Sequence, residues 1–191
     1  RNRGAMRELL SQAFTRMLHN DMSISTLIPA EPWLFGYYAG MGYVPVFKYS
    51  STTFTASEVT IADETAVLNK INDYQKESYR YLNRKLRERP YCIQHTETDF
   101  RVILADLQLG KGCVYTLKQG DKITALAIVY PAGSTWQAGE IVAETSGMYL
   151  LLLQRICEQL NLPSIRVIVP SETEPTPQVL GMARIINAKT I

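Results

Sequence analysis

The chain has 191 residues, 46% of them hydrophobic and 20% charged, a balance that suits one large or two modest globular domains with a sizeable buried core. Lys and Arg number 20 against 18 Asp and Glu, so a net charge of +2 creates no global field toward nucleic acid or a membrane, and any anion site has to be local. Cys92, Cys113 and Cys157 are widely spaced and fit neither a disulfide framework nor a CxxC metal knuckle, which points to reduced thiols in the cytoplasm; with only His19 and His95 as histidines, no metal site is expected.

From the front of the chain, Met6, Leu9, Leu10, Ala13, Phe14 and Met17 recur at spacings of three and four, which predicts an amphipathic helix to His19 with Arg7, Glu8, Gln12 and Arg16 on its wet side. "SISTLIP" follows as a strand stopped at Pro29, "WLFGYYAGM" as a short helix ending near Gly42, and "YVPVFKYS" as a strand whose proline suits an edge or a bulge. "SSTTFTASE", polar and without periodicity, is the linker candidate. Beyond it Val67, Leu68, Ile71 and Tyr74 predict a helix over about 63–85. Thr96 and Asp99 form a capping-box pattern for a helix over about 97–108, with Gly110 to end it. "CVYTL", "KQGDK" and "ITALAIVY" read as a hairpin, "GEIVAE" as a strand, "SGMYLLLLQRICEQL" as a mostly buried helix, and "IRVIVP" as a strand. Residues 171–178 read as loop, and "GMARIINA" as the start of a further strand. No run approaches the roughly 18 apolar residues of a membrane span, and no signal-peptide pattern is visible.

Two segments share one grammar. Gly4 precedes a helix and a strand ending at Pro29, and Gly147 precedes a helix and a strand ending at Pro170 at nearly the same interval. This suggests a duplicated module, although so short a pattern also arises by chance.

The chemistry sits at the front of the first copy. A helix N-terminus presents unpaired amides and the positive end of the macrodipole, glycine lets a phosphate approach the backbone, and arginines add charge-assisted hydrogen bonds. Arg1, Asn2, Arg3, Gly4, Ala5 and Met6 therefore form a candidate diphosphate cradle. Taken alone, Arg1-x-x-Gly4 fits a solvated basic turn better.

What sharpens it is Tyr38-x-x-x-Gly42-Tyr43 downstream, between two strands. An R-x-x-G-x turn opening a helix, then a strand, then Y-x-x-x-G-(F/Y) and another strand, resembles the back half of a GNAT N-acetyltransferase, with Met6 where the family has a small residue. In finer detail "LIPAEPWLFGYYAGMGY" and "GMARIINA" are similar to segments of the bacterial Eis-type (enhanced intracellular survival) acetyltransferases, which join a GNAT domain, a degenerate GNAT-like copy and a sterol-carrier-like domain.

The resemblance implies an α/β (α+β) architecture of tandem GNAT-like domains with mixed central sheets. Residues 1–50 would be the C-terminal half of the acetyl-CoA-binding domain, 51–178 the second copy, and 179–191 the start of a truncated third domain, the whole being an internal fragment that is inactive alone. It further implies acetyl transfer from acetyl-CoA, the cosubstrate, to a primary amine by direct attack on the thioester. Tyr38 would act as the general acid for the CoA thiolate, since a phenol of pKa about 10 can supply that proton. Tyr37 is its neighbour and rival, and an ordinary packed aromatic is the plain alternative for Tyr38. The base of Eis-type proteins is their C-terminal carboxylate, so none is assigned here. Glu31, Trp33 and Phe35 are substrate-side candidates, although a loop glutamate is ordinarily just solvated and the aromatics also suit a packing role. The expected partners are a small-molecule or lysine-type amine and, from the resemblance, further copies of the chain; neither nucleic acid nor membrane is expected. Glu144 at the second helix entrance would repel a diphosphate, so the second copy should be inert. A CoA- or metabolite-binding module without transferase activity is the alternative from another class. A nucleotide site is disfavoured, because no Lys-Ser/Thr pair, ribose-binding acid or Mg²⁺ carboxylate follows.

Overall fold

A computed structural model describes residues 4–58, 61, 63–90, 92–170 and 177–190, which form two units: residues 1–49 with 170–191, and residues 50–169. The architecture is mixed α/β, as expected, with eight strands and five α-helices among the described residues.

In the first unit, helix α1 (Ala5–His19) is followed by β1 (Ile24–Leu27), α2 (Pro32–Ala39) and the first half of β2 (Val44–Thr55). The strand β8 (Gln178–Ile185) completes it, antiparallel to β1 at Ile24↔Ile185 and Leu27↔Met182 and antiparallel to β2 at Val44↔Ala183. The order is β1-β8-β2, so β1 and β2 run parallel with β8 between them. The core is Phe14, Tyr43 and Met182, with Leu10, Met17, Leu27, Phe35 and Tyr38 packed against it. Only the Leu10–Phe14–Met17 stripe of α1 packs into this core. Met6 and Leu9, expected on the same apolar face, are 53% and 65% exposed.

Residues 178–185, expected within and just before the start of a third domain, are thus a strand of the first unit. The proline strand β2 carries the expected bulge, with register shifts between Pro45 and Phe47 and between Phe47 and Lys48. In the order β1-β8-β2 it is the outer strand of this unit, paired with β8 from far downstream.

The second unit begins in the same strand. "SSTTFT" is no linker: β2 runs on to Thr55 and buries Ser50 and Phe54, with the three residues between them exposed. The helix expected over 63–85 is a strand followed by a helix, β3 (Ala66–Ile71) and α3 (Lys76–Arg87). Val67, Leu68 and Ile71 fall at helical spacing, yet Ala66 through Ile71 pair residue for residue with β4 (Cys113–Gln119), and Asn72-Asp73 break the chain before α3. Helix α4 (Glu97–Leu109) has the expected cap: the Asp99 amide donates to Thr96 Oγ1 at 3.1 Å, and the Thr96 amide donates to the Asp99 carboxylate at 2.8 Å. The hairpin is β4 with β5 (Lys122–Ala132), followed by β6 (Thr135–Ala143), α5 (Ser146–Leu160) and β7 (Ser164–Pro170).

Strands β3 to β6 are antiparallel neighbours, and β6 and β7 pair in parallel at Gln137↔Arg166 and Ala138↔Val167. Alternate residues of β4 feed two cores. Cys113, Tyr115 and Leu117 meet α5 through Leu151, Leu152 and Ile156, and Val114 meets α3 and α4 through Leu82, Leu86 and Phe100. Each such fully buried side chain contributes about 1.5–3 kcal/mol, which makes this unit a sheet sandwiched between two helical layers. No helix among the described residues is long and apolar enough to cross a membrane.

Candidate functional site

Arg1, Asn2 and Arg3 of the candidate cradle lie outside the described residues. Gly4 is the N-cap of α1, in the left-handed region at φ 72°, and among the described residues no side chain caps the helix. Among the described residues a Cβ built on Gly4 would meet nothing within 4 Å, so backbone conformation rather than crowding is what favours glycine here. The Gly4 carbonyl accepts from the Glu8 amide at 3.0 Å, while the amides of Ala5 and Met6 lead the helix with no side-chain acceptor at the cap. This geometry suits an anion.

Glu31 is the N-cap of α2, extended and exposed, and makes no side-chain capping bond. Trp33 on the first turn is 68% exposed, whereas Phe35 packs against the first unit's core. Tyr38, in the last turn, is half-buried against that core. Its ring meets Tyr43 edge-on with centroids 5.8 Å apart, and Tyr37 lies against its other side at 5.5 Å. Its carbonyl accepts two amides, from Met41 at 2.9 Å and from Tyr43 at 3.1 Å, in a turn closed by Gly42 at φ 83°. Tyr43 is 3% exposed, and its hydroxyl pairs with Ser25 Oγ at 2.6 Å. The Tyr-x-x-x-Gly-Tyr spacing is thus a helix stop that fixes one tyrosine from the ring and the carbonyl of the other.

Sequence reasoning missed Arg184. From β8 its guanidinium covers the Phe14 ring at 4.0 Å, and Nη1 donates to the Met41 carbonyl. No local signal marks it, since its acceptor is 143 positions away.

The entrance of α5 differs from that of α1. Thr145 is its N-cap, and the hydroxyl accepts from the Met148 amide at 3.2 Å. The preceding Glu144 binds Arg84 at 2.5 Å and approaches Lys85 at 3.7 Å, and the Arg84 hydrogen bond, helped by Lys85, holds the Glu144 carboxyl below the usual range. The strand leading into α5 is occupied as well. Glu144 donates its amide to the Thr124 carbonyl, so the register 126↔142 and 127↔141 turns the Ile141 carbonyl away from β5. Arg89 Nη2 donates to that carbonyl at 2.6 Å while Nη1 binds Glu140 at 2.5 Å.

His19 is exposed in the last turn of α1, and His95 offers its backbone carbonyl to Tyr79 and Asn83. The thiols of Cys113 and Cys157 are buried; burial raises both, the latter to about 11. Among the described residues, no group of three or more His, Cys, Asp or Glu side chains could hold a metal.

No protein-family model matches the sequence, and no curated protein matches it. Among solved structures it is similar to a GCN5-related N-acetyltransferase from Anabaena variabilis ATCC 29413, with 14% identity, a TM-score of 0.76, and coverage of 100% of this chain and 53% of that one. It is similar also to a GCN5-related N-acetyltransferase from Kribbella flavida, at 14% identity and a TM-score of 0.70 over 100% of this chain and 50% of that one. Eis1 from Mycobacterium abscessus matches at 10% identity and a TM-score of 0.62 over 97% of this chain and 53% of that one. The chain spans about half the length of each. The likeness is one of fold, and the fold is that of the GCN5-related (GNAT) N-acetyltransferases.

Proposed function

We propose that this chain carries the donor cradle and the general acid of an acetyl-CoA-dependent N-acetyltransferase of the Eis type, acting on a primary amine. The observation that supports this most is the pairing, in one unit of a GNAT-like fold, of an uncapped helix entrance at a left-handed Gly4 with Tyr38 held at the end of the next helix. A left-handed Gly4 with no capping side chain among the described residues suits a diphosphate at the first-turn amides. Ala5 and Met6 would supply amides to it, and Arg1 and Arg3 charge.

In this reading the amine nitrogen bonds to the thioester carbon, the adduct collapses, and the C–S bond breaks with the electron pair on sulfur. The Tyr38 phenol protonates that thiolate, and solvent restores the phenol's proton. The proton leaving the amine passes to a base outside the residues named here. Glu31 and the exposed Trp33 offer a carboxylate and an aromatic face to a cationic substrate, with Phe35 behind them.

The test uses the full natural protein. CoA should bind, and Tyr38→Phe should abolish most turnover while leaving CoA affinity and melting temperature unchanged. Donor binding with no turnover toward any amine would favour the non-catalytic CoA-binding alternative instead.

A further inference from the structure

The surroundings of Tyr38 close into a circuit. The Arg184 guanidinium lies on Phe14 of α1, the Phe14 and Tyr43 rings have centroids 6.0 Å apart, and Tyr43 meets Tyr38. The Tyr38 carbonyl takes the Met41 amide, and the Met41 carbonyl returns to Arg184. All five members lie in the first unit. Phe14 stands ten residues into α1 from Gly4, about 15 Å along the helix, so the circuit joins the cradle's helix to the turn that carries the tyrosine.

Arg184 is half-buried, and no carboxylate among the described residues lies within ion-pair distance of it. Its charge is met by one backbone carbonyl and one aromatic face. A flat cation with directed donors suits that arrangement, because it stacks and donates at once, which an ammonium on a flexible stem does poorly. A Cβ added at Gly42 would sit 3.6 Å from the guanidinium, so the left-handed turn rests directly against it.

We infer that Arg184 is a positioning residue for acetyl transfer: by clamping the Tyr38–Gly42 turn to α1, it fixes where the Tyr38 hydroxyl stands relative to the donor bound at the α1 entrance. The inference rests on the reading of Tyr38 as general acid. Arg184 touches neither donor nor amine in this account, and its effect passes through Tyr38 alone.

A double-mutant cycle in the full natural protein tests this. Arg184→Gln should lower kcat by about 10- to 100-fold, the scale of an ångström-sized misplacement of a catalytic group, and leave CoA affinity within about twofold of wild type, because the α1 amides are untouched. Arg184→Lys, which keeps the charge and a donor, should recover part of the loss. Decisively, Tyr38→Phe combined with Arg184→Gln should be no slower than Tyr38→Phe alone. If the two losses multiply, or if Arg184→Gln leaves kcat unchanged, the positioning role is wrong. If Tyr38→Phe by itself turns over normally, the general-acid reading fails first, and the positioning role falls with it. Should Arg184→Gln not fold, Arg184→Lys carries the same cycle, since it retains the charge in the same place.

Discussion

Helix α1 begins at a left-handed Gly4 with no capping side chain among the described residues, whereas α5 begins behind Thr145, whose hydroxyl takes the Met148 amide, and beside a Glu144 carboxylate held by Arg84 and Lys85. Both helices have 15 residues and both lead into a strand. At the entrances the difference lies in the cap, Gly4 against Thr145. An N-terminus whose amides are free keeps the macrodipole available to an external anion; one capped by its own hydroxyl and preceded by a carboxylate has spent that capacity internally. In the second unit Arg89 also binds the Ile141 carbonyl on the strand leading into α5, so neither the helix entrance nor the strand before it is free. The same helix-strand grammar thus opens on two different entrances, one behind Gly4 and one behind the capping hydroxyl of Thr145.

The largest effect that could break this contrast is in the chemistry. If acid catalysis belongs to the first unit, Tyr38→Phe should lower kcat by about 10²- to 10⁴-fold. Tyr149→Phe, which alters a phenol at the start of α5 whose pKa burial raises, should leave kcat near wild type. Equal losses at both tyrosines, read from steady-state rates, would remove the asymmetry. Next in size is donor binding: replacing Arg1 and Arg3 with Ala should weaken CoA by about 2–6 kcal/mol in total if each charge-assisted contact contributes ~1–3. Unchanged affinity in calorimetry would eliminate the cradle.

Smaller effects sharpen the other side. Thr145→Ala should cost about 1 kcal/mol of stability through the lost cap, measured by denaturant unfolding, with no change in CoA affinity. Glu144→Gln should cost less than about 1 kcal/mol, because its ion pairs are well solvated. Its carboxyl is held below the ordinary value, so its contribution is present above that range and is lost as pH falls through the depressed value. The variant should therefore lose a part of the acid limb of the wild-type stability profile, and profiles that superimpose across the acid range would show that the Arg84 pair carries no stability.

Where the determinants are local, the residues alone revealed them. The α1 helix, the stop at Gly42, the Thr96–Asp99 box and the β4–β5 hairpin each depend on neighbours within a few positions, and each was legible, although the apolar stripe read for α1 extended too far toward its start, where Met6 and Leu9 are exposed. Strand partners were not. Val67, Leu68 and Ile71 fall on helical and strand spacing alike, and only pairing with β4 decides between them. "SSTTFT" looked like a linker because the two side chains it buries, Ser50 and Phe54, do not form a periodic apolar face. The candidate site divides along the same line. Gly4 and Tyr38 were visible through their spacing, whereas Arg184 acts on a carbonyl far away in sequence and sits in a segment read as the opening of another domain. The three residues before Gly4 rest on motif alone.

In the proposed reading the α1 entrance takes a CoA diphosphate and the α5 entrance does not. Isothermal titration of CoA into the full natural protein tests it most directly. One CoA per chain should bind, weakened by Arg1→Ala with Arg3→Ala and indifferent to Thr145→Ala with Glu144→Gln. Two molecules per chain, or a single one that responds to the α5 changes and ignores those before α1, would contradict it.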